Sequence, residues 1–256
     1  LINSTASYTV VALPDIPLIQ TGDDLVPIIL NGLAAANLVL ETGDVLVISS
    51  KIVSKAEGRL VALSSVQPGD KAQRLANVTD KDPRVVELVL QESEAISRSA
   101  KGVLVTEHRL GFVSANAGID QSNIDDADAH VLLLPLDPDK SALQMRDALL
   151  AQTGQTVAIV ITDTHGRPFR MGNVGVAMGV AGMQALTDLR GQKDLFGREL
   201  AITMQGYADM VASAAHLLTG EGAEGRPIVL IRGLAFLQGN GKAKDLYRPR
   251  DRDLYR

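Results

Sequence analysis

The run Val157-Ala158-Ile159-Val160-Ile161-Thr162-Asp163-Thr164-His165-Gly166-Arg167 carries an apolar strand pattern into an acid, a hydroxyl, an imidazole, a glycine and a cation. In open α/β sheets ligands sit beyond the carboxyl ends of strands, where a rigid strand anchors a short polar loop. Asp163 is therefore a candidate for work on a bound ligand; an Asx turn beside a solvated arginine is the plainer alternative. Two more acids stand at the ends of predicted elements, Asp120 in Ala117-Gly118-Ile119-Asp120-Gln121-Ser122-Asn123 and Glu221 in Thr219-Gly220-Glu221-Gly222. Three such carboxylates suit magnesium or manganese, which take oxygen ligands, usually one or two carboxylates completed by water and substrate phosphate. Thr164 can add a hydroxyl. Three unrelated loop acids remain the alternative, because spacing does not show convergence. His108, His130, His165 and His216 have no metal-ligand spacing.

A second cluster, Ser49-Ser50-Lys51-Ile52-Val53-Ser54-Lys55, follows a predicted strand as a loop of hydroxyl donors and ammonium groups able to hold phosphate oxygens. It is not a P-loop, and Gly239-Asn240-Gly241-Lys242 lacks the glycine spacing and the Ser/Thr of one, so it is expected to be a mobile turn. The glycine-spaced residues 172–182 alternate as a strand, with no helix or ribose-binding acid following as a dinucleotide fingerprint requires. The tail interleaves Lys242, Lys244, Arg248, Arg250, Arg252 and Arg256 with Asp245, Asp251 and Asp253. It reads as a solvated terminus or, since arginine forks grip carboxylate and phosphate, as a clamp over an anionic substrate pinned by Tyr247 and Tyr255. No nucleophile elbow or Ser/His/Asp order is present.

The elements that must position these groups alternate between strand and helix. Strands are expected at residues 8–13, 44–50, 59–63, 103–106, 131–134, 157–162, 172–182 and 227–231, and helices at 25–40, 68–77, 83–97, 141–151 and 207–218. Asp23 and Asp24 stand as caps before the first helix, with Pro27 in its first turn. The fold class is thus α/β, mixed α+β. No repeat or low-complexity linker marks a boundary, so residues 1–256 are expected to form a single catalytic unit, with two interleaved lobes as its subdivision.

With 46% hydrophobic residues the chain can bury a substantial core. With 3% aromatics and no Trp that core must be aliphatic, and few rings remain to stack nucleic-acid bases. A net charge of -5 disfavours phosphate polymers and anionic membranes but permits a local basic pocket for a small anion. The absence of Cys excludes disulfides, thiolate nucleophiles and cysteine-bound clusters, and makes cytoplasm the expected compartment. Residues 1–5 lack a cationic leader, no apolar run approaches a membrane span, and Leu1 in place of Met points to trimming or to an imposed boundary.

Four segments in this order carry a resemblance that spans nearly the whole chain: Ile16-Pro17-Leu18-Ile19 before Gly22-Asp23-Asp24; Ser50-Lys51-Ile52-Val53-Ser54-Lys55-Ala56-Glu57-Gly58-Arg59; Asn116-Ala117-Gly118-Ile119-Asp120-Gln121-Ser122-Asn123; and Thr162-Asp163-Thr164-His165-Gly166-Arg167-Pro168-Phe169-Arg170. Together they resemble the coenzyme F-420-0:L-glutamate ligase family, GTP-dependent enzymes that add glutamate to a deazaflavin coenzyme. The stretch around Gly220-Glu221-Gly222 matches more loosely.

The resemblance implies that Ile16, Pro17, Leu18, Ile19, Ser50, Lys55, Asn123, Gly220, Glu221 and Gly222 contact nucleotide, with Lys55, Asp120 and Asp163 as catalytic residues. It further implies that Asp120 and Asp163 hold one divalent ion, magnesium or manganese, and Thr164 and Glu221 a second, with potassium as an additional ion. It implies an unusual α/β fold in an intertwined homodimer. The reaction implied passes the GTP γ-phosphoryl to the acceptor carboxylate, and the glutamate amine then displaces phosphate from the acyl phosphate. Close backbone packing at Gly172, Gly175, Gly179 and Gly182 accords with the dimer. A metal-dependent phosphohydrolase, a non-catalytic GTP or deazaflavin binder, and a glutamate ligase acting on a folate are the alternatives.

Overall fold

A computed structural model of the chain describes residues 6–253. In chain order the elements are β1 (Thr9–Ala12), α1 (Leu25–Ala35), β2 (Val45–Ser49), α2 (Ser50–Ala56), β3 (Leu60–Ala62), α3 (Asp70–Thr79), α4 (Pro83–Gln91), β4 (Ser93–Ala100), β5 (Val103–His108), β6 (Val113–Ala115), β7 (His130–Leu132), α5 (Pro138–Thr153), β8 (Ala158–Arg167), β9 (Arg170–Ala181), β10 (Leu186–Asp188), β11 (Met204–Gly206), α6 (Tyr207–Thr219) and β12 (Ile228–Arg232). The mixed α/β class expected from the patterning is the one observed. Among the described residues no helix is long and apolar enough to cross a membrane.

The chain forms two compact units. The first takes residues 6–19, 23–53 and 137–246. Its sheet has the order β1-β12-β2-β8-β9, with β2 and β8 parallel and the other neighbours antiparallel. The apolar runs of β2, β8 and β12 lie at the centre, where both faces are covered, which is why they show no polar alternation. Val45, Val47, Ala158, Val160, Val229 and Ile231 pack with Ala208, Val211, Ala212 and Ala215 of α6. The alanines let the helix lie close.

The β8–β9 pairing slips by one residue, from Ile161 opposite Gly179 to Thr162 opposite Ala177, leaving Met178 as a bulge. Because strand side chains alternate, the slip exchanges the faces of β9. On one side of it a Cβ on Gly175 would lie 2.6 Å from the Ala212 carbonyl of α6, whereas a Cβ on Gly179 would collide with the Pro138 backbone of α5. These glycines serve packing within the chain, so they do not argue for a second copy as the sequence reading had it.

The second unit takes residues 20–22, 54–136 and 247–253. It holds the antiparallel sheet β4-β5-β6, the pair β3-β7 and helices α3 and α4. Ala72, Ala76, Val86, Val89, Leu104 and Ala117 form one apolar cluster; Leu63, Leu88, Val131 and Leu133 form another.

Local boundaries differ from expectation in several places. The helix predicted over 25–40 starts where Asp24 accepts from Val26 N at 3.0 Å, but it ends at Ala35, before Asn37 takes a left-handed φ of 56°. The helix predicted over 83–97 ends at Gln91; Ser93–Ala100 instead pairs with Val103–His108 across a turn at Lys101-Gly102. Residues 50–56, expected as a loop, are helix α2. The expected mobile turn at 239–242 is tied down, with Gly241 N donating to the Met183 carbonyl at 3.1 Å and Ala243 N to Asp139 Oδ1 at 3.0 Å.

Candidate functional site

The predicted site residues fall into two groups, one in each unit. In the first unit β8 runs on through the polar segment, so Asp163 and Thr164 sit within a paired strand rather than beyond its end. Asp163 is opposite Val176 and Thr164 opposite Gly175. Adjacent strand residues face opposite sides, so the Asp163 carboxylate and the Thr164 hydroxyl address different places. His165 Nε2 lies 3.9 Å from Asp163 Oδ2. Thr164 shares the α6 side with Gly175, and its hydroxyl donates to Glu221 Oε2 at 3.4 Å. The contact joins residues 57 apart in sequence.

Glu221 lies just past the C-terminus of α6. Gly220 caps that helix at φ 71°, ψ -177°, a conformation that favours glycine. The following turn closes on Glu224, whose Oε2 accepts from Gly222 N at 2.8 Å. His216, in the last turn of α6, lies with Nε2 2.9 Å from Glu221 Oε1. Sequence reasoning dismissed His216 for want of ligand spacing; its position four residues before Gly220 at a helix end was the only local signal.

The segment Ile16-Pro17-Leu18-Ile19 also belongs to this unit. Ile19 is buried, and Ile16 packs towards Gly32 of α1, whereas Pro17 and Leu18 are exposed. Any ligand along this stretch meets backbone and those two side chains. Ser50 begins α2 and is buried.

In the second unit Lys55, from the last turn of α2, donates from Nζ to the Asn123 carbonyl at 2.8 Å. Asp120 is held by a backbone bridge to Leu132, and its carboxylate accepts from Ser122 N at 2.7 Å and from Ser122 Oγ at 2.9 Å. The turn leading to it is unusual: Asn116, Ala117 and Gly118 are all left-handed, at φ 51°, 53° and 68°. Asn123 shares that region at 53°. Non-glycine residues adopt it at a cost, and such strain persists where the surroundings impose it. Here Ala117 is fully buried in the α3–α4 cluster, and a Cβ on Gly118 would sit 2.6 Å from Leu134 Cδ1. The structure thus brings Lys55, Asp120 and Asn123 into one unit, and Asp163, Thr164 and Glu221 into the other.

The tail keeps most of its charges exposed, as a solvated terminus would, and is pinned at Tyr247 as expected. Tyr247 packs against Gly111 and Phe112, and Arg250 pairs with the buried Glu107 at 2.6 Å. Arg250 is thus engaged within the chain rather than free for a substrate. Tyr255 and Arg256 lie outside the described residues.

Comparison with known proteins places these groups in context. The family model described as F420-0:Gamma-glutamyl ligase matches residues 15–233, a span that contains every predicted site residue. The chain is 46% identical over 242 residues to a protein of Methanopyrus kandleri named coenzyme F420:L-glutamate ligase, covering 93% of each. It is 44% identical over 250 residues to the protein of that name from Methanothermobacter thermautotrophicus, covering 97% of this chain and 98% of the relative. A Methanocaldococcus jannaschii protein of the same name is 44% identical over 221 residues, covering 86% and 88%.

Proposed function

The chain belongs to the F420-0:gamma-glutamyl ligase family and is a ligase, and from that premise we propose that it adds L-glutamate to the deazaflavin coenzyme F420-0, using GTP and releasing GDP and phosphate. The observation that carries the reading is the family match over residues 15–233, and within that span the structure brings Thr164 to Glu221 while Asp163 faces the other side of β8. Oxygen donors of this kind suit a divalent cation.

A carboxylate does not condense with an amine in water unless its oxygen is first made a leaving group. In the proposed reaction an acceptor carboxylate oxygen bonds to the γ-phosphorus of GTP while the bond to the β–γ bridging oxygen breaks and GDP leaves. The glutamate nitrogen then attacks the acyl carbon, phosphate departs and the amine loses a proton. Such a transfer needs positioning and charge neutralisation rather than a protein nucleophile, which suits a chain without cysteine.

Magnesium or manganese fits the donors present. Asp163, Thr164 and Glu221 offer oxygen, as does Asp120 in the other unit. Among the described residues no three His, Asp or Glu side chains assemble as a metal-holding group, so triphosphate and water would complete the coordination, as is usual for magnesium. Thr164 and Glu221 are assigned to one ion, and Asp163 in this unit and Asp120 in the other are each assigned as ligands of a divalent ion. A bound ion neutralises charge on the transferring phosphoryl group. Lys55 supplies an ammonium on the phosphate path. In the first unit Ser50, the segment 16–19 and Gly220-Glu221-Gly222 are assigned to nucleotide; in the second Asn123 is so assigned, and Ser122 steadies the Asp120 carboxylate. A homodimer completes the proposal.

The test is to incubate protein, F420-0, L-glutamate, magnesium or manganese, and GTP or ATP, and to read acceptor mass and phosphate together. Each glutamyl residue added must accompany one GDP and one phosphate. Phosphate release without glutamate addition identifies a hydrolase, and tight GTP binding without turnover a binder. Addition to a folate but not to F420-0 keeps the reaction and replaces the acceptor.

A further inference from the structure

We infer that His216 is a positioning residue: it holds the Glu221 carboxylate in the orientation in which that group, with Thr164, takes a divalent cation. The inference rests on the ligase reading above and on its assignment of Glu221.

The two oxygens of Glu221 are divided between neighbours. Oε1 lies 2.9 Å from His216 Nε2, and Oε2 accepts from Thr164 at 3.4 Å. A carboxylate offers about four acceptor positions, so two hydrogen bonds fix its plane and leave capacity for a cation.

The supports are rigid. Thr164 is held in the β8–β9 ladder opposite Gly175, and α6 is seated on the sheet through buried Ala208, Ala212 and Ala215, with Gly175 in close contact with the Ala212 carbonyl. Ser213 Oγ adds a bond to the Gly175 carbonyl at 2.7 Å. The backbone carrying Glu221 has a different character. It is a glycine-flanked turn closed on Glu224, and a Cβ at Gly220 would run into the Glu224 carboxyl.

His216 is therefore the link between a fixed helix and a ligand on a loop. Its side chain is mostly buried, while that of Glu221 is 55% exposed. A pair so placed adds little to fold stability, because solvent screens it and ordering a long side chain costs entropy. The same ordering, completed before the cation arrives, removes that cost from binding. Partners of this kind behind a metal ligand typically govern affinity about 10- to 100-fold.

The experiment is a manganese titration followed by electron paramagnetic resonance, at one pH, on the full chain in the presence of GDP. It compares the unaltered protein with His216→Ala, His216→Gln and Glu221→Gln, each checked by thermal unfolding. Glu221→Gln should abolish one class of bound manganese. His216→Ala should weaken that class about 10- to 100-fold. His216→Gln, whose amide reaches the place of Nε2 and can donate, should recover most of the loss. Wild-type manganese binding in His216→Ala, with loss in Glu221→Gln, would overturn the role of His216 and leave the ligase reading standing. Wild-type binding in all three would remove Glu221 from the ligands and with it the role inferred for His216. Equal weakening in His216→Ala and His216→Gln would overturn the inference as well, since donation from this position would not be what orients the carboxylate.

Discussion

Glu92 and Glu221 each lie beside a histidine, His108 at 3.5 Å and His216 at 2.9 Å, and each belongs to a different unit. Glu92 is also gripped by Arg59 at 2.9 Å and Arg109 at 3.0 Å, and only 12% of its side chain is exposed. Burial alone would oppose its ionisation; the neighbouring His108 ring and the two guanidinium groups outweigh it and hold the carboxyl at about 2. Glu221 has a histidine and a hydroxyl, more than half its side chain is exposed, and no arginine or lysine among the described residues pairs with it. A carboxylate neutralised by two cations has no further use for a third. One that no guanidinium or ammonium grips, on a turn just past a helix end, is open to a cationic ligand.

The contrast is sharpened most by removing Glu92. Glu92→Ala leaves Arg59 and Arg109 without their shared anion and should cost about 3 to 5 kcal/mol in urea unfolding. Glu221→Gln should stay within about 0.5 kcal/mol. Equal losses would break the distinction. Acid tests the same site without mutation. Because the folded carboxyl is depressed from 4.5 to about 2, its contribution is full above pH 4.5 and disappears as pH falls towards 2. At most about 3 kcal/mol is lost over that window, and Glu92→Gln should flatten the profile there.

On the functional side, Asp163→Asn should lower ligation by at least ~10²-fold with an unchanged unfolding midpoint, since one charged stabiliser of phosphoryl transfer is removed. Near-normal turnover would detach β8 from the chemistry. Lys55→Ala should raise the GTP requirement about tenfold, the worth of one charge-assisted bond, and leave the glutamate requirement alone; steady-state kinetics in both substrates decides. The smallest effect belongs to the tail. Arg250→Ala should destabilise by about 1 kcal/mol, the arginine being largely exposed, without changing the acceptor requirement. A selective rise in that requirement would restore the tail as a substrate clamp.

The site was legible in the sequence as residue types and order, less so as geometry. Asp163 and Thr164 stood out because an apolar strand ended in polar groups, although the strand continues to Arg167. Glu221 was marked by its flanking glycines, but its contact with Thr164 was not visible, and His216 was passed over because its partner is five residues away across a helix end rather than at a ligand spacing. The strand at residues 93–100 was hidden because Ser, Glu and Ala suit a helix as readily, and only its pairing with 103–108 decides otherwise. The tail looked solvated because its charges are many, and most of them are exposed; the anchorage of Arg250 on the buried Glu107 was the part that the sequence did not show.

What the sequence alone determined is what neighbouring residues can settle between themselves. The apolar runs of β2, β8 and β12 must be buried, Asp24 must cap α1, the aliphatic composition must supply the core, and the ordered motifs specify the family. The tertiary structure decided what depends on residues far apart in the chain. The bulge at Met178 chooses which face Gly175 and Gly179 present. The burial of Ala117 imposes a left-handed turn before Asp120. The seating of α6 on the sheet brings His216, Glu221 and Thr164 together. Side-chain alternation is a local rule, but a single extra residue in one strand inverts it, and only the partner strand determines where that residue goes.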